Sequence, residues 1–208
     1  MNRTFVVTGT DTNVGKTIFC AALVGALRGY YWKPIQCGNL QDTDSTIVAR
    51  LSNIPQANIL PESYRLSGAF SPHRSAELDG IVIDPPSLKP PSVDGPLLIE
   101  GAGGLMVPLT RSFLQLDLFA QWKLPLILVA RTSLGTINHT LLSLSALRIQ
   151  SVPLLGVVFV GEENPDTQNI ICKIGQARYL GRLPLLSKLN SESLFSSFSS
   201  SFSLKDYT

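Results

Sequence analysis

Residues 9–17 read GTDTNVGKT, a run whose residue types suit it to binding phosphate. In such a loop, small residues let backbone N–H groups surround phosphate oxygens, a lysine reaches the terminal phosphates, and the next hydroxyl holds Mg²⁺. Lys16 and Thr17 supply the lysine and the hydroxyl. Thr10 stands where the usual spacing of a P-loop has a glycine, so this loop is a variant. The run predicts a site for nucleotide phosphates and Mg²⁺.

Three further segments place a charged group beside apolar residues. Lys33 lies inside the run WKPIQCG, where a buried amine needs a partner; it contacts an anion or, alternatively, reaches water from a strand end. Asp44 lies in the run DTDS, which either caps a helix or places a carboxylate on Mg²⁺, and the spacing leaves both interpretations open. Glu100 follows an apolar strand and precedes the run GAGG, which favours a metal-side carboxylate over an unrelated acid in a turn. Lys16, Lys33 and a bound Mg²⁺ could neutralise the charge of a phosphoryl group during transfer.

The elements that position these residues alternate between strands and helices. Strands are predicted at residues 5–7, 30–35, 96–100, 124–130, 152–160 and, as a last edge strand, 178–183. Helices are predicted at residues 17–28, 44–52, 113–121, 136–148 and about 165–176. Residues 55–95 are rich in proline and are expected to form short helices and loops. The pattern predicts a three-layer α/β fold of the P-loop NTPase type, with helices on both faces of a mainly parallel sheet.

Length and composition favour one domain over residues 1–189, followed by a serine-rich tail of low complexity at 190–208 that is flexible or partly helical. Only 15% of the 208 residues are charged, against a typical ~25%, which suggests that some surface is buried in an oligomer. The net charge of +2 is too small to indicate nucleic acid or a membrane as the main partner. Three cysteines without metal or redox spacing suggest reduced thiols in the cytoplasm.

Taken in order, these segments resemble the dethiobiotin synthetase family. The resemblance is carried by GTDTNVGKT, WKPIQCG, TDS, SPH at 71–73, EGAGG at 100–104 and LGTINH at 134–139, and it covers roughly residues 4–186. It implies ATP-dependent ring closure in biotin synthesis. CO₂ or bicarbonate carbamates one amine of 7,8-diaminononanoate, ATP phosphorylates the carbamate, and the second amine closes the ureido ring.

The resemblance also implies a role for individual residues. Catalysis would fall to Lys33, Lys16 and Thr12, and Mg²⁺ would be held by Thr17, Asp44 and Glu100. The co-substrate ATP would be bound by Asn13, Val14, Gly15, Lys16, Thr17, Ile18, Asp44, Glu100, Gly101, Ala102, Gly103, Pro184, Leu185 and Leu186. The diamine would contact Thr12, Asn13, Lys33, Cys37, Ser71, Pro72, Gly135 and Asn138. The last two belong to a helix N-terminus that would meet the carboxylate tail of the substrate across a homodimer interface.

Three positions depart from the family's usual residues. Asn13 replaces an acid found in many members, and Cys37 replaces a serine or threonine. Val160 stands where the family has an asparagine that reads adenine. The resemblance therefore leaves the choice among ATP, CTP and GTP open, along with the substrate contacts of Asn13 and Cys37.

Two alternatives share this subclass of P-loop. A ParA/MinD-like ATP switch would usually carry a second lysine early in the loop, where this chain has Thr10, Asp11 and Thr12. The synthetases that amidate cobyrinic or cobyric acid usually carry a glutaminase domain, for which 208 residues leave no room. Both alternatives therefore rank below the dethiobiotin synthetase hypothesis.

Overall fold

A computed structural model describes residues 3–207 and shows a parallel sheet between two layers of helices. The strands are β1 (Thr4–Gly9), β2 (Tyr30–Trp32), β3 (Ile35–Cys37), β4 (Ile59–Leu60), β5 (Tyr64–Leu66), β6 (Leu97–Gly104), β7 (Leu126–Arg131), β8 (Leu154–Val160) and β9 (Tyr179–Leu183). The α-helices are α1 (Lys16–Leu27), α2 (Asp44–Ser52), α3 (Pro72–Asp79), α4 (Gln115–Trp122), α5 (Thr136–Ile149), α6 (Pro165–Gly175) and α7 (Ser191–Ser201). Short 3₁₀ turns cover Gln56–Asn58, Pro85–Ser87 and Leu204–Tyr207.

The main sheet has seven strands in the order β4-β2-β6-β1-β7-β8-β9, and its pairings are parallel. In the register of the central strands, Val7 of β1 pairs with Glu100 of β6 and with Ile127 of β7. Because parallel strands end at one edge of the sheet, the segments after β1 and β2 and the end of β6 meet there. This topology brings the loop at 9–17, Lys33 and Glu100 together.

The core lies in two layers, one on each face of the sheet. One face is covered by α1, α2 and α7, with Phe19, Leu23 and Phe198 fully buried among strand residues. The other face is covered by α4, α5 and α6, through side chains such as Phe119 and Ile171. The predicted three-layer fold is therefore confirmed. Within residues 3–207, no helix is both long enough and apolar enough to cross a membrane.

The predicted strand at 30–35 is wrong in one respect, because it divides into two strands. β2 ends at Trp32, and β3 begins at Ile35 and pairs with β5 in a separate two-stranded sheet. Proline has no N–H to donate to a strand ladder, so Pro34 interrupts the pairing. The break leaves Lys33 between the two sheets. Residues 55–95 hold the predicted short helices but also the two short strands β4 and β5.

The serine-rich tail forms helix α7 and packs on the core. Leu194, Phe198 and Phe202 recur at every fourth position and are buried. The rings of Phe198 and Phe202 stack with centroids 4.6 Å apart, and Phe19 of α1 lies 5.6 Å from the ring of Phe202. Helix α7 thus completes the layer that holds α1 against the sheet.

Candidate active site

The loop between β1 and α1 is shaped by two left-handed residues. Asn13 has φ 57° and Gly15 has φ 96°. Asparagine is one of the few side chains that adopt this region readily, which gives Asn13 a structural reason to be there. A Cβ on Gly15 would lie 2.8 Å from Cγ1 of Val160, so only glycine fits beneath β8. Among the described residues no side chain caps α1, so its first N–H groups are available to an anion.

Lys16 lies beneath this loop with its amine turned back toward it. The side chain is buried, and Nζ donates to the backbone oxygen of Asp11 at 3.1 Å. Burial lowers the pKa of Lys16. The negative charge of Glu100 raises this pKa and the positive charge of Lys33 lowers it further, so the net shift is downward. Asp11 also accepts a hydrogen bond from Arg131 at the end of β7, which ties the loop to the neighbouring strand. A phosphate would give the Lys16 amine the anionic partner that it lacks.

Four side chains meet beside the loop. The hydroxyl of Thr17 lies 2.8 Å from Oδ1 of Asp44 and 2.9 Å from Oε1 of Glu100. Nζ of Lys33 lies 2.8 Å from Oδ2 of Asp44 and 3.2 Å from Oε1 of Glu100. The structure therefore brings together the lysine and the three oxygen ligands that the sequence predicted from four separate segments.

The amine of Lys33 is fully satisfied inside the protein. Its third acceptor is the backbone oxygen of Gly101 at 3.1 Å. Burial alone would lower the pKa of Lys33, but the carboxylates of Glu100 and Asp44 outweigh it and raise the pKa. For Asp44, burial would raise the pKa, and the ammonium of Lys33 with the hydroxyl of Thr17 lowers it instead. The pair is therefore held in its charged form.

The oxygens of this cluster fit Mg²⁺. Neighbouring ligands of an octahedral Mg²⁺ lie about 2.9 Å apart, which matches the spacing of the Thr17 hydroxyl from each carboxylate. All three donors are oxygen atoms, as this cation prefers. Within residues 3–207 no group of three or more His, Cys, Asp or Glu side chains could hold a metal. The protein would supply only part of the coordination of Mg²⁺, and water and phosphate oxygens would supply the rest.

Two positioning residues of this cluster, Tyr31 and Gln36, were missed by the sequence analysis. The hydroxyl of Tyr31 on β2 donates to Oε2 of Glu100 at 2.8 Å. Burial and the charge of Glu100 raise the pKa of Tyr31 well above its usual range. Gln36 accepts from the backbone N–H of Asp44 at 3.2 Å, and Thr43 caps α2 by accepting from the N–H of Thr46. The DTDS run therefore does cap a helix, through Thr43, while Asp44 beside it reaches the cluster with Thr17 and Lys33.

A cleft of about 780 Å³ opens over the cluster. It is lined by the predicted residues Thr12, Asn13, Gly15, Lys16, Thr17, Ile18, Lys33, Cys37, Asp44, Ser71, Pro72, Glu100, Ala102 and Gly103. Gln36 and the exposed Phe70 line it as well, although the sequence analysis did not assign them. Cys37 lines the cleft together with Ser71 and Pro72, and burial raises the pKa of its thiol. The charged end of the cleft is formed by the cluster around Lys33, and the lining also includes the uncharged side chains of Cys37, Phe70 and Pro72.

A second cavity of about 500 Å³ lies on the other side of the loop. Its lining includes the predicted residues Val14, Pro184, Leu185 and Leu186, together with Val160. The cavity is mainly apolar and shares Asn13, Gly15 and Ile18 with the cleft. It therefore suits a flat aromatic ring attached to phosphates that lie over the loop.

Gly135 and Asn138 are not in either cavity. Both are exposed at the start of α5. Beside them a groove of about 550 Å³ runs between α5 and the segment after β6, and it meets the cleft at Thr12 and Val107. A molecule in the cleft could extend into this groove. Within a single chain it would not contact Gly135 or Asn138, because neither residue lines the cleft or the groove.

Comparisons with known proteins agree with this geometry. A family model described as an AAA domain matches residues 3–193. An ATP-dependent dethiobiotin synthetase from Agrobacterium fabrum is 56% identical over all of this chain and 98% of its own length. The enzymes of the same name from Afipia carboxidovorans and Rhodopseudomonas palustris strain HaA2 are 55% and 52% identical, with 100% and 97% of their own lengths covered.

Solved structures share the fold at low identity. A ParA family ATPase from Chlorobium tepidum is 15% identical with a TM-score of 0.52, over 98% of this chain and 91% of that one. The septum site-determining protein MinD from Pyrococcus horikoshii, in complex with Mg-ADP, is 15% identical with a TM-score of 0.56, over 95% and 86% of the two chains. This likeness confirms the P-loop type of fold and extends no further.

Proposed function

The chain belongs to the family of ATP-dependent dethiobiotin synthetases, and from that premise we propose how its cleft closes the ureido ring. The substrates are 7,8-diaminononanoate, CO₂ or bicarbonate, and ATP. One amine takes up CO₂ and loses a proton to give a carbamate. A carbamate oxygen then takes the γ-phosphoryl group and ADP leaves. The second amine attacks the carbonyl carbon, the bond from that carbon to the phosphate oxygen breaks, and phosphate departs as the amine loses its proton.

The charged end of the cleft handles the phosphoryl group. The N–H groups at the start of α1 and the amine of Lys16 would bind the phosphates, while Thr17, Asp44 and Glu100 would hold Mg²⁺. When bound, Mg²⁺ supplies positive charge to the phosphate oxygens. The base of the nucleotide would occupy the apolar cavity beside Val160 and Leu185, where its ring would gain contact area.

Lys33 belongs to the charged cluster and also lines the cleft. Its ammonium is held by Asp44 and Glu100, and it lines the same cleft as Thr12 and Cys37. The raised pKa keeps this group charged, so it can stabilise the negative charge of the carbamate and of the transferred phosphoryl group. Thr12, Asn13, Cys37, Ser71 and Pro72 would surround the diamine. The observation that carries the proposal is the placement of Lys33, which is buried between the carboxylates of Asp44 and Glu100 and lines the cleft.

A second copy of the chain would complete the site. The start of α5 leaves Gly135 and Asn138 exposed, next to the fully exposed Leu134. Met106 and Leu142 are also exposed and line the groove that leads out of the cleft. Burying this apolar surface in a homodimer would bring the α5 N-terminus of one copy to the substrate tail of the other, where free N–H groups favour a carboxylate. The three free cysteines suit the reducing cytoplasm as the place of the reaction.

The test is an assay of the purified chain with diamine, bicarbonate, Mg²⁺ and ATP. We expect ADP release that depends on the diamine, and a product with the mass of dethiobiotin. ADP release that is the same with and without the diamine, together with no product of that mass, would contradict the proposal. ATP-driven dimerisation without turnover would instead favour the ATP-switch alternative, even though its early lysine is missing at residues 10–12.

A further inference from the structure

The two oxygens of the Glu100 carboxylate lie in different surroundings. Oε1 faces the cleft and contacts the hydroxyl of Thr17 and the amine of Lys33. Oε2 faces the core and accepts from the hydroxyl of Tyr31 at 2.8 Å. Burial and the charge of Glu100 also raise the pKa of the nearby Cys20 thiol. Tyr31 is fully buried and Glu100 is 1% exposed, so the Tyr31 hydroxyl cannot be exchanged for water.

The sheet fixes the position of the Tyr31 hydroxyl. Tyr31 lies on β2, and its backbone pairs with Leu98 of β6, two residues before Glu100. Helix α1 packs over the ring, which belongs to the same core cluster as Phe19 and Leu23. A ring held on a paired strand and under a helix cannot follow the carboxylate if it turns. Rotation of the carboxylate would therefore leave a buried hydroxyl without an acceptor, which is strongly disfavoured.

We propose that Tyr31 is a positioning residue for Glu100, which holds one carboxylate oxygen in the core so that only Oε1 is presented to Mg²⁺. This inference rests on the proposed role of Glu100 as a metal ligand. The hydroxyl acts through the carboxylate and touches neither nucleotide nor substrate. Its effect is to set the affinity for Mg²⁺ in the nucleotide complex, while the affinity for the metal-free nucleotide depends on the loop and on Lys16.

Partners that orient a metal ligand typically change metal affinity by roughly 10- to 100-fold when removed. The Tyr31→Phe variant keeps the ring and removes only the hydroxyl. We expect it to weaken Mg²⁺ binding to the ADP complex by about 10-fold or more. ADP binding in EDTA should stay within about threefold of the wild-type value. Isothermal titration of Mg²⁺ into the protein–ADP complex, and of ADP into the protein in EDTA, measures the two affinities separately.

The neighbouring tyrosine provides a matched control. Tyr30 lies on the same strand, is half-buried, and its hydroxyl makes no hydrogen bond among the described residues, so Tyr30→Phe should change neither affinity. In a Glu100→Gln background, Tyr31→Phe should no longer change the Mg²⁺ affinity, because the two groups act as one unit. Thermal unfolding verifies that each variant is folded. If Tyr31→Phe fails to fold, Tyr31→4-aminophenylalanine retains a donor at the position of the hydroxyl and should keep the Mg²⁺ affinity within about threefold of the wild type.

Equal Mg²⁺ affinities in Tyr31→Phe and Tyr30→Phe would overturn the inference, as would a parallel loss of ADP binding in EDTA. So would an equal loss in Tyr31→4-aminophenylalanine when that variant is folded. These outcomes differ from a failure of the proposed function. Mg²⁺ and ADP binding are measured without diamine, so they report on Glu100 and Tyr31 even if dethiobiotin is not the product.

Discussion

Replacing Lys33 by methionine tests the charge arrangement of the whole site. Methionine has a similar length and no charge, so it should fill the same buried space. The side chains of Asp44 and Glu100 then keep their shared contact with the Thr17 hydroxyl but lose the ammonium that lies 2.8 and 3.2 Å from them. Two unit charges about 5 Å apart repel by roughly 3 kcal/mol at an effective dielectric constant of about 20. We therefore expect Lys33→Met to lower the free energy of unfolding by roughly that amount in EDTA.

Two measurements separate this effect from the effect on catalysis. In urea unfolding, Mg²⁺ with ADP should stabilise Lys33→Met more than the wild-type chain, because the metal supplies the missing positive charge. In steady-state assays of diamine-dependent ADP release, kcat should fall by about 10²- to 10³-fold, the usual cost of one charge-stabilising donor. Lys89→Met is the matched control, since Lys89 is exposed and does not line the cleft. It should change stability by less than about 0.5 kcal/mol and leave kcat unaltered.

Near-normal turnover in Lys33→Met would contradict the proposed role of Lys33, since the ammonium of Lys33 would then not face the transition state. An equal loss of stability in EDTA and in Mg²⁺ with ADP would also contradict this role. That result would mean that the lysine fills space and that its charge does not balance the two carboxylates.

Four further predictions concern separate parts of the molecule. Lys16→Ala should remove most turnover and weaken ADP binding in titration calorimetry, because the buried amine would contact the phosphates under the proposed function. Cys37→Ser should keep the diamine KM within about threefold if residue 37 meets a substrate amine, whereas a large loss would show that the thiol serves packing. Phe198→Ala should cost about 3–5 kcal/mol in urea unfolding, against about 1 kcal/mol or less for the half-exposed Phe195→Ala on the same helix. The lowered pKa of Asp44 contributes stability that is present above the unfolded pKa, about 4, and is lost as pH falls through the folded pKa. Asp44→Asn should therefore lose less stability than the wild-type chain between about pH 5 and pH 2.

The ligand cluster was predictable because its members lie at strand and helix ends. An apolar run followed by a small-residue loop or an acid marks the end of a parallel strand, and such ends meet at one edge of the sheet. Residues 9–17 follow the apolar run of β1, and Glu100 follows the apolar run of the adjacent β6, although β6 itself continues to Gly104 and does not end at Glu100 as predicted. Val160 also ends a strand, and the structure explains it sterically, since it packs against Gly15. Local pattern thus located the site without any information about tertiary contacts.

The supporting residues were not predictable in the same way. Tyr31 reads as an ordinary residue of a buried strand, and its partner Glu100 lies 69 residues further along the chain. Gln36 lies two residues after Pro34. The sequence analysis placed Pro34 near the end of a single strand, whereas it separates two strands that belong to different sheets. A hydrogen bond between distant segments leaves no periodic signal. Its partners become visible only when the strand order is known.

The tail shows how composition can conceal a helix that periodicity would reveal. Serine dominates residues 190–203, yet Leu194, Phe198 and Phe202 recur at every fourth position, the spacing of one helical face. That face packs on Phe19, three residues after the lysine that begins α1. Because α1 is held between the sheet and α7, the position of the phosphate loop depends on a segment more than 170 residues further along the chain. Substitutions in this face should therefore affect nucleotide binding as well as stability, although none of its residues lines the cleft.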